Sequence, residues 1–278
     1  MWKEARMTKI GFSKMGLGLC LALALSAPSQ AADAQRRKPG KAAPQAQSEL
    51  RSRNVDKAVA AATALGTSKS PNAMGELLDG LAMGLHPRVA SAALDAVALK
   101  AKQNSFDVVS FYMHHRNAKV RSSALRVMAA LTDKRAKAMV LAALGDPHKS
   151  VRASAAEILA AQNVKQAIEP LMSLLKKGDE AAAPALASLA NPDLARAVSE
   201  LIGQAPDGLL ARCLGAILMR PDFKPEEARI EVVKALGKIP GNDSLEQLTN
   251  YVGAIPEKPP RASRTEAEQI IENRLGGM

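Results

Sequence analysis

One pattern, met three times at a spacing of 31 residues, constrains this chain more than any other feature. The blocks are Arg88-Val89-Ala90-Ser91-Ala92-Ala93-Leu94, Lys119-Val120-Arg121-Ser122-Ser123-Ala124-Leu125 and Ser150-Val151-Arg152-Ala153-Ser154-Ala155-Ala156. Each follows a turn rich in Pro, Asn, Asp and His and continues as an Ala-rich amphipathic helix. A unit this short cannot bury its apolar face alone, so a fixed period of this size implies units stacked side by side. Composition agrees: 47% of the residues are hydrophobic but only 3% aromatic, which suits closely packed Ala/Leu helices better than one wide globular core. The predicted fold class is all-α. Helices are expected near 53–65, 71–84, 87–102, 105–115, 119–131, 133–144, 149–161, 164–177, 180–190, 193–203, 207–219, 225–238, 243–253 and 263–275, with no alternating strand pattern.

The ends read differently. Lys3, Arg6, Lys9 and Lys14 precede an apolar run, Met15 to Ala27, that is short for a bilayer span, and Ser29-Gln30-Ala31 offers small residues for cleavage. Residues 1–31 are therefore expected to be a secretory signal peptide, placing the mature chain in the periplasm or outside the cell without a transmembrane segment. Removing them takes four basic and one acidic residue from the net +11, leaving +8, and leaves Cys213 as the one cysteine. Residues 32–48 mix Ala, Gln and Pro with four basic residues and read as a flexible basic linker. The solenoid is expected over 49–255, and 256–278 as a Pro-rich break followed by a capping helix, opened by a capping box at Ser263-Arg264-Thr265-Glu266.

The stretch Gly145-Asp146-Pro147-His148-Lys149-Ser150-Val151-Arg152, followed by Ala167-Ile168-Glu169-Pro170-Leu171-Met172-Ser173-Leu174-Leu175, resembles the short bacterial HEAT-like repeats of the phycobilisome-lyase type. The match is close over 86–177 and returns at 225–236 without the Val-Arg pair; 180–203 is shortened, which predicts an irregularity between 180 and 225. The resemblance implies a right-handed α-α superhelix of about six helical pairs. It also implies a ladder of Asp and Arg between neighbouring turns, built here from Arg121, Asp146 and Arg152. The alternative use of those arginines is a ridge for acidic partners.

Several residues invite closer reading. Val120, Ala124, Val127 and Leu131 share one helical face, and the small residue in its middle lets a neighbouring helix approach. Ser105 and Asp133 suit N-caps, Gly145 suits a left-handed helix end, and Pro170 and Pro184 suit a first turn or a kink. His86 and His148 lie two periods apart, beyond the reach of one metal ion, with Asn117 at the equivalent place between them, and read as turn residues. Phe106 and Phe111 are expected to plug the core and Tyr112 to be an exposed anchor. Arg88, Tyr112, Arg121, Arg126 and Arg152 are the candidate partner-binding residues. Cys213 reads as a small core residue.

Nothing in the sequence matches a nucleophile-base pair, a phosphate loop or a metal motif. The expected function is a non-catalytic protein-protein interaction scaffold of the bacterial envelope, with no cofactor, no metal and no specific nucleic acid. Two alternatives stand beside it. One is a bilin lyase-like, cofactor-handling activity, implied by the family resemblance. The other is weak nucleic-acid binding through the basic surface.

Overall fold

The computed structural model describes residues 49–101 and 103–276. The expected signal peptide and basic linker lie outside the described residues. Within them the chain forms fourteen α-helices in succession. These are α1 Val55–Thr67, α2 Ala73–Ala82, α3 Pro87–Ala98, α4 Phe106–Tyr112, α5 Ala118–Ala130, α6 Lys134–Ala142 and α7 Lys149–Ala161, then α8 Ile168–Lys176, α9 Ala182–Leu189, α10 Pro192–Ser199, α11 Asp207–Leu218, α12 Glu226–Lys238, α13 Asn242–Ala254 and α14 Ala262–Gly276.

The helices alternate between two layers. Odd-numbered helices pack each on the next, from α1 to α13, and form a continuous first layer; the even-numbered helices form the second, each packed on a first-layer neighbour in the chain, α4, α8 and α10 on the helix that follows and α14 on the one before. The result is an α-α solenoid of seven pairs. The C-terminal helix is the second member of the last pair. Second-layer neighbours pack closely at α2–α4, α10–α12 and α12–α14. Over the middle of the array, from α4 to α10, they stand further apart.

Local chemistry sets the helix starts. His86, Asn117 and His148, equivalent in the repeat, each accept a hydrogen bond from a first-turn N–H: those of Arg88 at 3.3 Å, Lys119 at 2.9 Å and Ser150 at 3.3 Å. Asn54, Asp133 and Asn191 cap α1, α6 and α10 in the same way. Many of the second-layer helices are too short to persist alone in water, α4 having only 7 residues and α10 only 8. They are held by the shared interior. Val120, Ala124 and Val127 have no accessible surface and Leu131 retains 9%.

The helix ends depart from expectation in several places. Ser105 makes no capping bond, and its hydroxyl is buried without a protein partner. Gly145 closes a 3-10 turn, Ala143–Gly145, in ordinary backbone rather than the left-handed region. The left-handed glycines are Gly84, Gly178, Gly203 and Gly241. Pro170 and Pro184 fall in first turns, where their missing N–H costs nothing.

Residues 180–225, where the shortened motif predicts an irregularity, keep the alternation: α7, α9, α11 and α13 pack in order. What shifts is the motif, since α12 carries a first-helix pattern but lies in the second layer. The capping box at Ser263 does not form, because Ser263 is drawn into a buried network. Its N–H and hydroxyl both donate to Glu226 Oε1, at 2.9 and 2.7 Å, and its Oγ lies 2.7 Å from the Tyr251 hydroxyl. Burial raises the Glu226 carboxyl, but these hydrogen bonds outweigh it and hold the group below the usual carboxylate range. The last helix is thereby tied to the two before it.

Candidate functional site

An apolar exposed region lies in the second layer, between α2 and α4. After α2 the chain turns through Gly84, whose φ of 82° favours glycine, and this brings Leu85 back against the helix. In α4, Phe106 and Val109 enter the core, and Met113 follows them just beyond the helix. Phe111 lies five residues past Phe106, about 140° further round the helix, and is 78% exposed. Between the helices runs a groove of about 460 Å³, lined by Leu81, Leu85, Val108, Phe111, Tyr112 and His115, with Asp107 its one acidic lining residue. Met83, 69% exposed, stands nearby and accepts a contact from the Arg51 guanidinium at 2.7 Å.

This reverses two expectations. Phe111 does not plug the core; it is the exposed aromatic. Tyr112 is half-buried, its hydroxyl donates to the Leu81 carbonyl at 2.7 Å, and its ring stacks on His115 at 6.1 Å. Burial also raises its hydroxyl pKa. Tyr112 forms a wall of the groove and Phe111 its projecting edge. Phe106 is buried as expected and carries the Arg135 guanidinium over its ring, 4.1 Å from the centroid.

The repeat arginines are occupied. Arg121 donates to both Asp146 oxygens, each at 2.7 Å, and to the carbonyls of His115 at 2.7 Å and Arg116 at 3.2 Å. Arg152 repeats this one pair on, donating to Asp179 and to the carbonyls of Asp146 and Pro147. Burial raises the Asp146 carboxyl, but the Arg121 guanidinium and the His148 N–H outweigh it and hold the group below the usual range. The side chains of Arg121 and Arg152 are only 11% and 23% exposed. They close helix ends and join turns, and as partner-binding residues they are set aside. Ala90 stands at the corresponding place in α3, so that repeat has no rung.

Arg88 and Arg126 are exposed and pair with Asp56 at 2.9 Å and Asp95 at 2.5 Å. Sequence reasoning missed Asp179, although it follows Arg152 by 27 residues much as Asp146 follows Arg121 by 25. It also missed the exposed cations around the rungs. Arg116 and Lys119 line a surface depression that includes Asn117, Pro147, His148 and Ser150, exposed Lys149 lies in the chain between the last two, and among the described residues none of the three enters an ion pair.

Elsewhere the ionisable groups serve the fold. Arg220, Arg229 and Arg274 donate to carbonyls at the ends of α9, α11 and α12. Cys213 is fully buried, and burial pushes its thiol up to about 12. No cluster of His, Cys, Asp and Glu arranged to hold a metal, and no helix long and apolar enough to cross a membrane, occurs among the described residues.

Comparison with known proteins matches residues 107–190 to the family described as HEAT repeats. No curated protein matches. Among solved structures, the chain is similar to the complex of CpcE and CpcF of phycocyanin lyase from Nostoc sp. PCC7120, at 16% identity over 90% of this chain and 99% of that one, with a TM-score of 0.41. It is also similar to the karyopherin Kap121p bound to the extreme C-terminus of the protein phosphatase Cdc14p, at 12% identity over 81% of this chain and 28% of that one, TM-score 0.49. A designed armadillo repeat protein aligns at 15% identity over 82% and 98% of the two chains, TM-score 0.34.

Proposed function

We propose that this HEAT-like solenoid is a non-catalytic scaffold of the cell envelope that holds a protein partner in the groove between α2 and α4. The observation that carries the reading is Phe111. A large aromatic ring left 78% exposed beside Met83, on the edge of an apolar groove, is costly in water and is the kind of anchor that dominates protein interfaces. Tyr112, pinned to the Leu81 carbonyl, presents a rigid wall, so little order need be gained on binding. The non-catalytic part of the reading rests on how the ionisable groups are used: in rungs, caps and surface pairs rather than converging on a cleft. The envelope part rests on the signal-peptide reading of residues 1–31.

The test is affinity capture from envelope extract with the wild-type chain and with Phe111→Glu, read by quantitative mass spectrometry. One set of proteins retained by the wild type and lost with the variant, at unchanged melting temperature, is the expected result. Equal retention by both chains would refute the assignment of the groove.

A further inference from the structure

His115 is the last residue in sequence to line the groove, and a second, separate depression starts at its chain neighbour. That neighbour is Arg116, and the depression lies between the turns that open α5 and α7; Asn117, Lys119, Arg121, Pro147, His148 and Ser150 also line it. Lys149 stands exposed at the first position of α7, beside that rim. No acidic residue lines this depression, and Asp146, next in the chain to Pro147, is taken up by Arg121. Arg116, Lys119 and Lys149 are exposed and, among the described residues, without an ion-pair partner.

Their positions are also poor ones for the fold. Lys119 lies in the first turn of α5 and Lys149 in the first turn of α7, and neither turn contains an acidic residue. A cation at a helix N-terminus faces the positive end of the helix dipole and is repelled by it. Helix stability therefore gives no account of these lysines. An anion drawn from outside does, since it would meet three side-chain charges and two helix dipoles of the same sign.

On the reading of the groove given above, we infer that the partner segment is an acidic peptide carrying a large apolar side chain. The apolar side chain enters the α2–α4 groove against Phe111 and Tyr112, and neighbouring carboxylates lie on Arg116, Lys119 and Lys149. Charge complementarity and the direct succession of His115 by Arg116 carry this assignment. A peptide fits better than a nucleic acid, because the surface couples its charge to one apolar groove instead of a series of aromatic faces on which bases would stack.

The test uses the full chain and fluorescein-labelled twelve-residue peptides, read by anisotropy. One peptide places a Leu-Phe pair between two runs of Glu; a second replaces each Glu by Lys; a third replaces the Leu-Phe pair by Gly-Ser. The first is expected to bind, weakening as salt rises, and the other two to bind at least about tenfold more weakly. The double variant K119E/K149E is expected to lose about tenfold or more for the first peptide, with a melting temperature unchanged or raised because acidic residues suit helix N-termini. Binding of the first peptide that ignores K119E/K149E would overturn the inference. So would equal binding of the Gly-Ser peptide, heparin or single-stranded DNA, which would make the patch a general polyanion surface. The two readings fail separately: envelope capture that is lost with Phe111→Glu but indifferent to K119E/K149E keeps the groove and removes the acidic partner, whereas capture indifferent to Phe111→Glu removes the groove itself.

Discussion

Breaking the rung between Arg121 and Asp146 should destabilise the array far more than breaking a surface pair, and the structure gives the size of the difference. Each of these side chains keeps about a tenth of its surface in water, 11% and 10%, and two parallel hydrogen bonds of 2.7 Å join them. Asp146 also accepts the His148 N–H at 2.8 Å. Removing one member of a buried pair typically costs about 3–5 kcal/mol, because the other charge is stranded. In Asp146→Ala the guanidinium retains the carbonyls of His115 and Arg116, which lowers the expected loss to about 2–4 kcal/mol. Arg121→Ala strands the carboxylate and should cost a similar amount. The double variant should cost less than the sum of the two, with a coupling energy of about 1–2 kcal/mol. Arg88→Ala is the control: its pair with Asp56 is 64% and 79% exposed, and its loss should stay within about 0.5 kcal/mol.

Urea unfolding followed by circular dichroism measures all four variants, and repeating it across pH adds a sign test. The Asp146 pKa is depressed in the folded chain, so its contribution is fully present above the ordinary carboxylate range and is lost as pH falls through that range towards the folded value. The gap between wild type and Asp146→Ala should therefore be full at pH 7 and shrink below about pH 4. Additive single losses, or a gap that widens in acid, would refute the ladder as a source of stability.

Other outcomes follow from packing. Ala124→Leu and Ala155→Leu place side chains where the native alanines have no accessible surface, and thermal melts should show each losing about 1–3 kcal/mol. Gly66→Ala should destabilise, although a helical glycine ordinarily gains about 1 kcal/mol on this change; the added Cβ would stand 2.7 Å from Ala96 Cβ, where α1 crosses α3, and a raised melting temperature would contradict that crossing. Cys213 should resist Ellman's reagent in the native chain and react fully in urea, since it has no accessible surface and its thiol is pushed up to about 12.

The repeat made much of this architecture readable. A polar residue before each Ala-rich period marked the starts of α3, α5 and α7, and the same residues are their N-caps. Positions decided by distant residues were not readable. Whether Phe106 or Phe111 turns inward depends on how the seven-residue α4 is rotated by its neighbours, and a window of sequence contains no such information. Ser263 matches a local capping box but bonds to Glu226, 37 residues earlier. Arg229 is 5% exposed, because its guanidinium reaches the carbonyls of Leu218 and Arg220 at the end of α11. For the site, the arginines that stood out by repetition proved structural. The unpaired exposed cations, Arg116, Lys119 and Lys149, are conspicuous only once the rungs have consumed Asp146 and Asp179.

Site-specific photocrosslinking in living cells tests most directly the claim that a partner occupies the second-layer groove. A photoreactive amino acid replaces Phe111 in one strain and Glu157, an exposed residue of α7 in the first layer, in another. The account predicts a discrete protein adduct on irradiation from position 111 and none from position 157. Adducts of equal yield from both positions, or from position 157 alone, would contradict it.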